Sequence, residues 1–206
     1  MQDFFRVDGL FYRVLSKIWG LMVLNLLILI SSLPIVTIGA VQTASFTVLS
    51  KMIREGETKI ISIYWQSFKK NFKQSTIAWL ILVVVIYILA VDWVYFIQFK
   101  QLGNWFAVGA LIATILIANI WQFLFFYLSR FNDTLKKALI NIVKISFSHP
   151  LLSIISLVIM FGPILLMFLS SYLFVFSLFI SVFIGLSFNL FLRTYLLLAI
   201  FTKYEN

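Results

Sequence analysis

Charged residues are scarce in this chain of 206 residues, since Asp, Glu, Lys and Arg together make up 11% of it and apolar residues 63%. A soluble domain carries roughly 25% charged and about 45–50% apolar residues. So few charges could not cover the surface of a soluble fold of this size. The composition therefore predicts a protein whose surface largely faces lipid.

Cysteine is absent, which excludes a disulfide framework, an iron–sulfur cluster, a thiolate zinc site and a lipid-modified cysteine. Acidic residues are also few, and the formal net charge is +9. A basic excess can indicate nucleic-acid binding. In so apolar a chain, retention of Lys and Arg in cytoplasmic loops explains it more simply. We therefore expect a protein of the cytoplasmic membrane with no nucleic-acid partner.

Five apolar runs are each long enough to cross a bilayer as a helix. About 20 apolar residues span roughly 30 Å of hydrocarbon. Continuous rather than alternating runs favour helices over strands, because a helix satisfies its own backbone in lipid. The runs are Val14–Ser32, Thr76–Phe99, Trp105–Leu128, Leu151–Leu169 and Tyr172–Leu192. The sequence predicts an all-α, polytopic transmembrane helix bundle forming a single domain over residues 1–206.

A sixth segment, Gly39–Ile53, is apolar but contains several hydroxyl and amide side chains. If it crosses the membrane, the chain has six spans, both termini are cytoplasmic and 15 of 16 basic residues lie inside, with only Lys100 outside. If it does not, there are five spans, the N-terminus is outside, and the basic residues divide 12 to 4. The bias of Lys and Arg towards cytoplasmic loops favours six spans. Small residues at spacings of three and four would let this helix pack closely; they are Gly39, Ala40, Thr43, Ala44 and Thr47.

Two segments between spans have helical periodicity with one basic face, which is typical of helices lying in the membrane interface. In residues 59–74 the apolar face carries Ile61, Trp65, Phe68 and Phe72, and the opposite face carries Lys69, Lys70 and Lys73. In residues 132–148 the apolar face carries Leu135, Leu139, Ile142 and Ile145, and the opposite face carries Lys136, Lys137 and Lys144. These lysines predict contact with anionic lipids.

The pattern suggests three repeated units, each an interfacial helix followed by a membrane hairpin. Their boundaries would be 1–54, 55–128 and 129–206, with the first seventeen residues as the first interfacial helix. Short similar fragments stand where the second and third units enter the membrane, at 71–75 and 146–150.

Several motifs resemble the YesL-like family of bacterial integral membrane proteins of unknown function. The resemblance covers roughly residues 8–80. It is carried by Asp8-Gly9-Leu10, the run Ser32-Leu33-Pro34-Ile35-Val36-Thr37-Ile38-Gly39-Ala40 with Thr43-Ala44, then Phe68, Asn71-Phe72-Lys73-Gln74-Ser75 and Trp79. It implies a link to carbohydrate uptake, because members are commonly encoded beside sugar ABC transporters. It transfers no catalytic residue.

Asp92 is the acidic residue that falls within a predicted span. Intramembrane carboxylates often mark ion or proton pathways. The neighbouring Trp93, Tyr95 and Lys100 are also typical of a membrane boundary, where a carboxylate reaches water. Asp92 is therefore a candidate for either coupling or interfacial anchoring.

Other polar residues are weaker candidates. His149, the sole histidine, has no partners at metal-ligand spacing and precedes Pro150, so it predicts the start of a helix, with pH sensing as the alternative. Gln42 and Asn119, like Asn25, Gln122 and Asn189, lie within predicted spans. Such residues line pathways or, more often, tie helices together by hydrogen bonds.

No paired carboxylates, phosphate-binding glycine loop or Ser/His/Asp set is visible, so we expect neither an enzyme nor a cofactor. Two functions stay open. One is an accessory or regulatory subunit, with an ABC-transporter permease as the partner that the resemblance implies. The other is a small transporter or channel in its own right, for which a homo-oligomer is the expected assembly.

Overall fold

The computed structural model describes residues 10–56, 59–98 and 104–202, which are almost entirely helical. A short 3-10 turn, Ile35–Thr37, precedes the second helix, and a π-helical turn, Ser181–Gly185, joins the last two. The helices are α1 (Leu10–Ser32), α2 (Ile38–Arg54), α3 (Ile60–Gln98), α4 (Asn104–Arg130), α5 (Leu135–Ser148), α6 (Pro150–Leu169), α7 (Ser171–Ile180) and α8 (Leu186–Phe201).

Six helical stretches are long and apolar enough to cross a membrane. They are Val14–Ser32, Ile35–Arg54, Ile60–Gln98, Trp105–Arg130, Pro150–Leu169 and Ser171–Phe201. The predicted all-α polytopic bundle is therefore confirmed, and the protein is a multi-pass membrane protein. Residues 1–9, Lys100 and Lys203 lie outside the described residues, so the predicted positions of both termini and of Lys100 stay predictions.

The predicted interfacial helix at residues 59–74 is not a separate element. Its residues are helical, but they continue without a break through α3, which is 39 residues long. At about 1.5 Å per residue, a helix of this length extends about 58 Å, roughly twice the hydrocarbon thickness. No glycine or proline occurs within it, so no residue interrupts its hydrogen bonding.

The second predicted interfacial helix, α5, is separate from the following span. Pro150 has no backbone N–H and disfavours helical geometry at the residue before it. His149 accordingly adopts φ −131° and ψ 61°, and α6 begins at Pro150. The apolar side of α5 faces the protein rather than lipid alone, because Ala138, Ile142 and Ile145 are buried.

The core of the bundle surrounds α2, which packs against α1, α3, α4 and α8. Its Phe46 ring lies 5.4 Å from that of Phe126 in α4, which lies 5.0 Å from that of Phe201 in α8. One end of the bundle carries Lys51, Arg54 and Arg130 and is here called the basic end. It is formed by the ends of α2, α4 and α8 and by the beginning of α3.

Away from the basic end, the helices continue as two hairpins. In the first, Trp93 Nε1 of α3 donates to Thr114 Oγ1 of α4 over 3.0 Å, and the rings of Phe96 and Phe106 stack. In the second, α6 turns at Ser170 into α7. Large apolar side chains on both hairpins are not covered by other parts of the chain, as expected of surfaces that face lipid.

Candidate functional site

The predicted candidate residues do not come together at one place. Asp92 lies half-buried in the outer part of α3, six residues before the end of the helix. Its neighbour Trp93 is held by Thr114 of α4. Among the residues that the structure describes, no side chain forms a hydrogen bond or ion pair with the Asp92 carboxylate. This is compatible with a position near the membrane boundary.

His149 lies at the junction of α5 and α6, half-buried. Its backbone N–H donates to the Ile145 carbonyl over 3.2 Å, and its own carbonyl accepts from the N–H of Ser153 over 3.1 Å. The residue thus links the end of one helix to the start of the next, as its position before Pro150 predicts. In the described ranges, no group of three or more metal-ligating side chains is placed to hold an ion.

Gln42 and Asn119 both join helices. The Gln42 Oε1 atom accepts from Trp121 Nε1 over 3.2 Å, which connects α2 to α4. Asn119 Oδ1 accepts from Gln122 Nε2 over 2.9 Å and also from the Ser153 hydroxyl of α6. The prediction that polar residues within spans tie helices together is confirmed at these positions.

Gln122 is the centre of this polar cluster and is completely buried. Besides Asn119, its Nε2 reaches the Ser153 carbonyl at 3.2 Å. Its Oε1 atom has no hydrogen-bond partner in the described structure. An unsatisfied buried carbonyl costs about 1–3 kcal/mol, so the cluster retains one unused acceptor.

Arg193 of α8 lies next to the backbone carbonyl of Gln122, and the sequence pattern does not identify it as a site residue. The predicted span ends at Leu192, which places Arg193 in a solvated cytoplasmic segment. That boundary is wrong, because the helix continues to Phe201 and Arg193 is only 4% exposed. The signal that could have found it is the apolar run Leu196–Ile200 beyond it, which extends the span past the charge.

The Arg193 guanidinium is held by weak partners. Its Nη2 lies 3.5 Å from the Gln122 carbonyl oxygen, and its Cζ lies 5.6 Å from the centre of the Phe46 ring. Its Nε has no hydrogen-bond partner, and no carboxylate of the described residues pairs with it. A charged side chain inside a membrane span is costly and is therefore a functional candidate by default.

Asn25 of α1 satisfies the backbone at the π-helical turn. Its Nδ2 donates to the carbonyls of Ser181 and Val182 at 3.0 and 2.8 Å, and its Oδ1 accepts from the Ser187 N–H at 3.0 Å. A π turn shifts the hydrogen-bond ladder by one residue and leaves such groups without their usual partners. Asn25 supplies those partners from a neighbouring helix, so its role is structural.

The predicted interfacial lysines are exposed on both segments; they are Lys69, Lys70 and Lys73 on α3, and Lys136, Lys137 and Lys144 on α5. On α3 the predicted apolar stripe is also largely outward, since Ile61 is 56% and Phe72 40% exposed. Its aromatic rings contact one another in sequence, with Trp65–Phe68 and Phe68–Phe72 centroids both 5.4 Å apart. A third face, with Tyr64 and Ser67, packs towards α2.

Residues 21–93 match a protein family described as a protein of unknown function, DUF624. The match covers the second half of α1, all of α2 and α3 as far as Trp93, and so overlaps the region that resembles YesL-like proteins over residues 21–80. No curated protein matches the chain, and no solved structure does. The similarity thus brings no assigned activity, substrate or site residue.

Proposed function

We propose that this chain is a YesL-like accessory or regulatory subunit of a membrane complex, with a carbohydrate ABC-type importer as the partner class. The observation that carries the proposal is the contrast between a tightly packed core and two outer hairpins with uncovered apolar faces. The link to carbohydrate uptake rests on the family resemblance and not on the geometry.

The packing of the core supports a scaffold role. Phe123, Phe125 and Phe126 of α4 are completely buried against α2 and α8. The polar side chains near these rings mostly form hydrogen bonds with one another or with the backbone. The exceptions are Gln122 Oε1 and Arg193 Nε. A transport route needs polar groups facing a water-accessible space, often at broken helices. In this bundle the buried polar residues instead join helices by hydrogen bonds.

The outer hairpins provide surface for a membrane partner. On α7, Val175 is 66% and Phe176 60% exposed, and on α3 Val84 is 58% exposed. Lipid can cover such faces, and so can the apolar helices of another subunit, because packing rather than burial from water drives helix association in membranes.

Site-specific photo-crosslinking in native membranes tests the proposal. A photoreactive residue at Val84 or Val175 should yield a crosslinked permease of a carbohydrate importer, and deleting the chain should alter uptake by that importer. The same residue at the buried Leu124 is the matched control and should give no intermolecular product. Crosslinks to lipid alone at both exposed positions, together with unchanged uptake, would contradict the proposal.

A second function, a small transporter, is favoured by one observation, the buried Arg193, whose Nε has no hydrogen-bond partner in the described structure. If Arg193 serves solute or ion movement, the purified chain reconstituted alone in liposomes should carry flux, and Arg193→Met should abolish it without lowering thermal stability. Asp92→Asn should abolish it as well if that carboxylate couples transport. Absence of flux from the wild-type chain would remove this alternative.

We further propose that the basic end faces the cytoplasm, in the cell's cytoplasmic membrane, with both termini inside. The chain has no native cysteine, so single cysteines can report accessibility directly. An impermeant maleimide added outside intact cells should label Gln98→Cys and not Asn132→Cys, both at exposed positions. The reverse pattern would invert the orientation.

A further inference from the structure

A polar cleft opens at the basic end, between the last turns of α2 and α4. Its volume is about 390 Å³, which is sufficient for a phosphate group and part of what carries it. The lining residues are Thr47, Ser50, Lys51, Arg54, Glu55, Ser129, Arg130 and Phe131.

The lining is predominantly cationic. Lys51, Arg54 and Arg130 contribute three positive charges, and Glu55 contributes the single negative one. Two guanidinium groups at one cleft favour a phosphate, because their paired N–H donors match its oxygens. Basic pockets between the cytoplasmic ends of membrane helices are also where anionic lipid headgroups bind.

The hydroxyls of the lining are either used or enclosed. Thr47 Oγ1 donates to the Thr43 carbonyl at 3.0 Å, and Ser129 Oγ donates to the Phe126 carbonyl at 2.6 Å. Ser50 is only 8% exposed, and its Oγ, which has no hydrogen-bond partner in the described structure, is buried out of reach of a group in the cleft. Contacts with a ligand in this cleft therefore depend on its cations.

Cations in the last turn of a helix also interact favourably with its exposed carbonyls. This accounts for the position of Lys51, Arg54 and Arg130 at the ends of α2 and α4. It does not account for the space between them. A role limited to the helix ends predicts that no anion binds.

We propose that this cleft binds a phosphate group, supplied by an anionic phospholipid headgroup or by a free phosphate. Arg54 and Arg130 contact the phosphate oxygens, and Lys51 adds positive charge. The site is separate from the Gln122–Arg193 cluster and does not depend on the accessory function proposed above.

Thermal unfolding of the purified full-length chain in a neutral detergent tests this, because a ligand that binds the folded state raises its stability. Short-chain phosphatidylglycerol is compared with phosphatidylcholine, and inorganic phosphate with chloride at equal ionic strength. We expect stabilisation by phosphatidylglycerol, by phosphate or by both. Stabilisation by the lipid alone assigns a headgroup site, and stabilisation by phosphate alone assigns a soluble ligand.

Variants separate the cleft from general attraction to a basic surface. The double change Arg54→Gln/Arg130→Gln should weaken binding about tenfold or more, since charged hydrogen bonds are lost. The matched double change Lys69→Gln/Lys70→Gln removes the same charge from exposed positions outside the lining and should leave the affinity unchanged.

If the double arginine variant does not fold, the single changes Arg54→Lys and Arg130→Lys keep the test available. Each preserves the net charge and should still weaken binding. Equal loss in the cleft and control variants, or no stabilisation of the wild type by either anion, would overturn the proposal.

Discussion

Helices α2 and α7 show opposite relations between hydrophobicity and burial. The segment containing α2 is the least apolar of the six candidate spans and also the most buried. Helix α7 consists of apolar residues and serines, and Leu178, Phe179 and Ile180 are each at least 37% exposed. In a soluble protein this relation would be reversed. Lipid solvates apolar side chains well, so hydrophobicity alone does not drive them into the protein interior.

The burial of α2 follows instead from small and hydroxyl side chains. Thr43 Oγ1 lies 2.9 Å from Ser75 Oγ, and Thr47 Oγ1 lies 2.7 Å from Ser67 Oγ, so two hydroxyl pairs bridge α2 and α3. Gly39, Ala40 and Ala44 are buried between the same helices and their neighbours. The prediction that small residues permit close packing of this segment is confirmed.

The largest effect is expected at Gly39. A Cβ added there would overlap the Ser75 carbonyl oxygen and lie 2.7 Å from Trp79 Cβ and 2.9 Å from Phe125 Cε1. Overpacking of this kind costs about 1–3 kcal/mol, and more where backbone must move. Gly39→Ala should therefore markedly lower the midpoint of thermal unfolding in detergent.

Gly109→Ala in the outer part of α4 is the matched control, since an added Cβ there meets nothing within 4 Å. It should be neutral or stabilising by up to about 1 kcal/mol, because alanine is the better helix former. If both substitutions have the same effect, close approach is not what places α2 in the core.

The next largest effect is expected at Asn25. Asn25→Leu removes two donors and one acceptor from the backbone of the π-helical turn. At about 0.6–2 kcal/mol for each hydrogen bond within a membrane, the loss of three bonds should lower the free energy of unfolding by about 2–6 kcal/mol. Asn189→Leu, which removes a single bond to the Ile159 carbonyl, should cost less. Reversible unfolding in mixed micelles would measure both, and an equal loss would disprove the role of the turn.

A smaller difference in the free energy of unfolding is expected between the same valine-to-alanine change on α2 and on α7. Val48→Ala removes two methyl groups from a side chain that is 2% exposed, and Val175→Ala removes them from one that is 66% exposed. The first should lower stability by about 1–2.5 kcal/mol through lost packing, the second by less than about 0.5 kcal/mol. Comparable losses at the two sites would show that α7 is covered by protein, as in a homo-oligomer.

The smallest perturbation comes from spin labels on the outward face of α3. A label at Phe72 should be accessible to oxygen in nanodiscs, and a label at Lys70 to an aqueous relaxation agent, because the apolar stripe and the lysines lie on different faces. Equal aqueous access at both positions would mean that this half of α3 projects into water.

Much of the fold could be predicted because long apolar runs have few structural alternatives in a membrane. The termination of α1 before Pro34 and the start of α6 at Pro150 followed from proline geometry. The continuity of α3 through Ser75 could not be predicted in the same way. A change from basic amphipathic to apolar sequence alters what surrounds a helix without interrupting its hydrogen bonds.

Among the polar residues, too, some features could be predicted from the sequence and others could not. That Gln42 and Asn119 would join helices was predictable by type, but their partners Trp121 and Ser153 were not. Arg193 is predicted to be solvated because a charge count treats each arginine as solvated, but it is buried. Its burial depends on Phe46 and the Gln122 carbonyl, which belong to two other helices.

By itself, the sequence determined that this is a helical membrane protein with five or six candidate spans and basic segments between them, because helix length and side-chain transfer energies are local properties. Only the tertiary structure decided that the least apolar segment forms the centre of the bundle, that one arginine is buried against the backbone of another helix, and that three cations line one cleft. Those features arise where several helices meet. Their energies depend on which side chains face each other across a contact, and no single stretch of the chain contains that information.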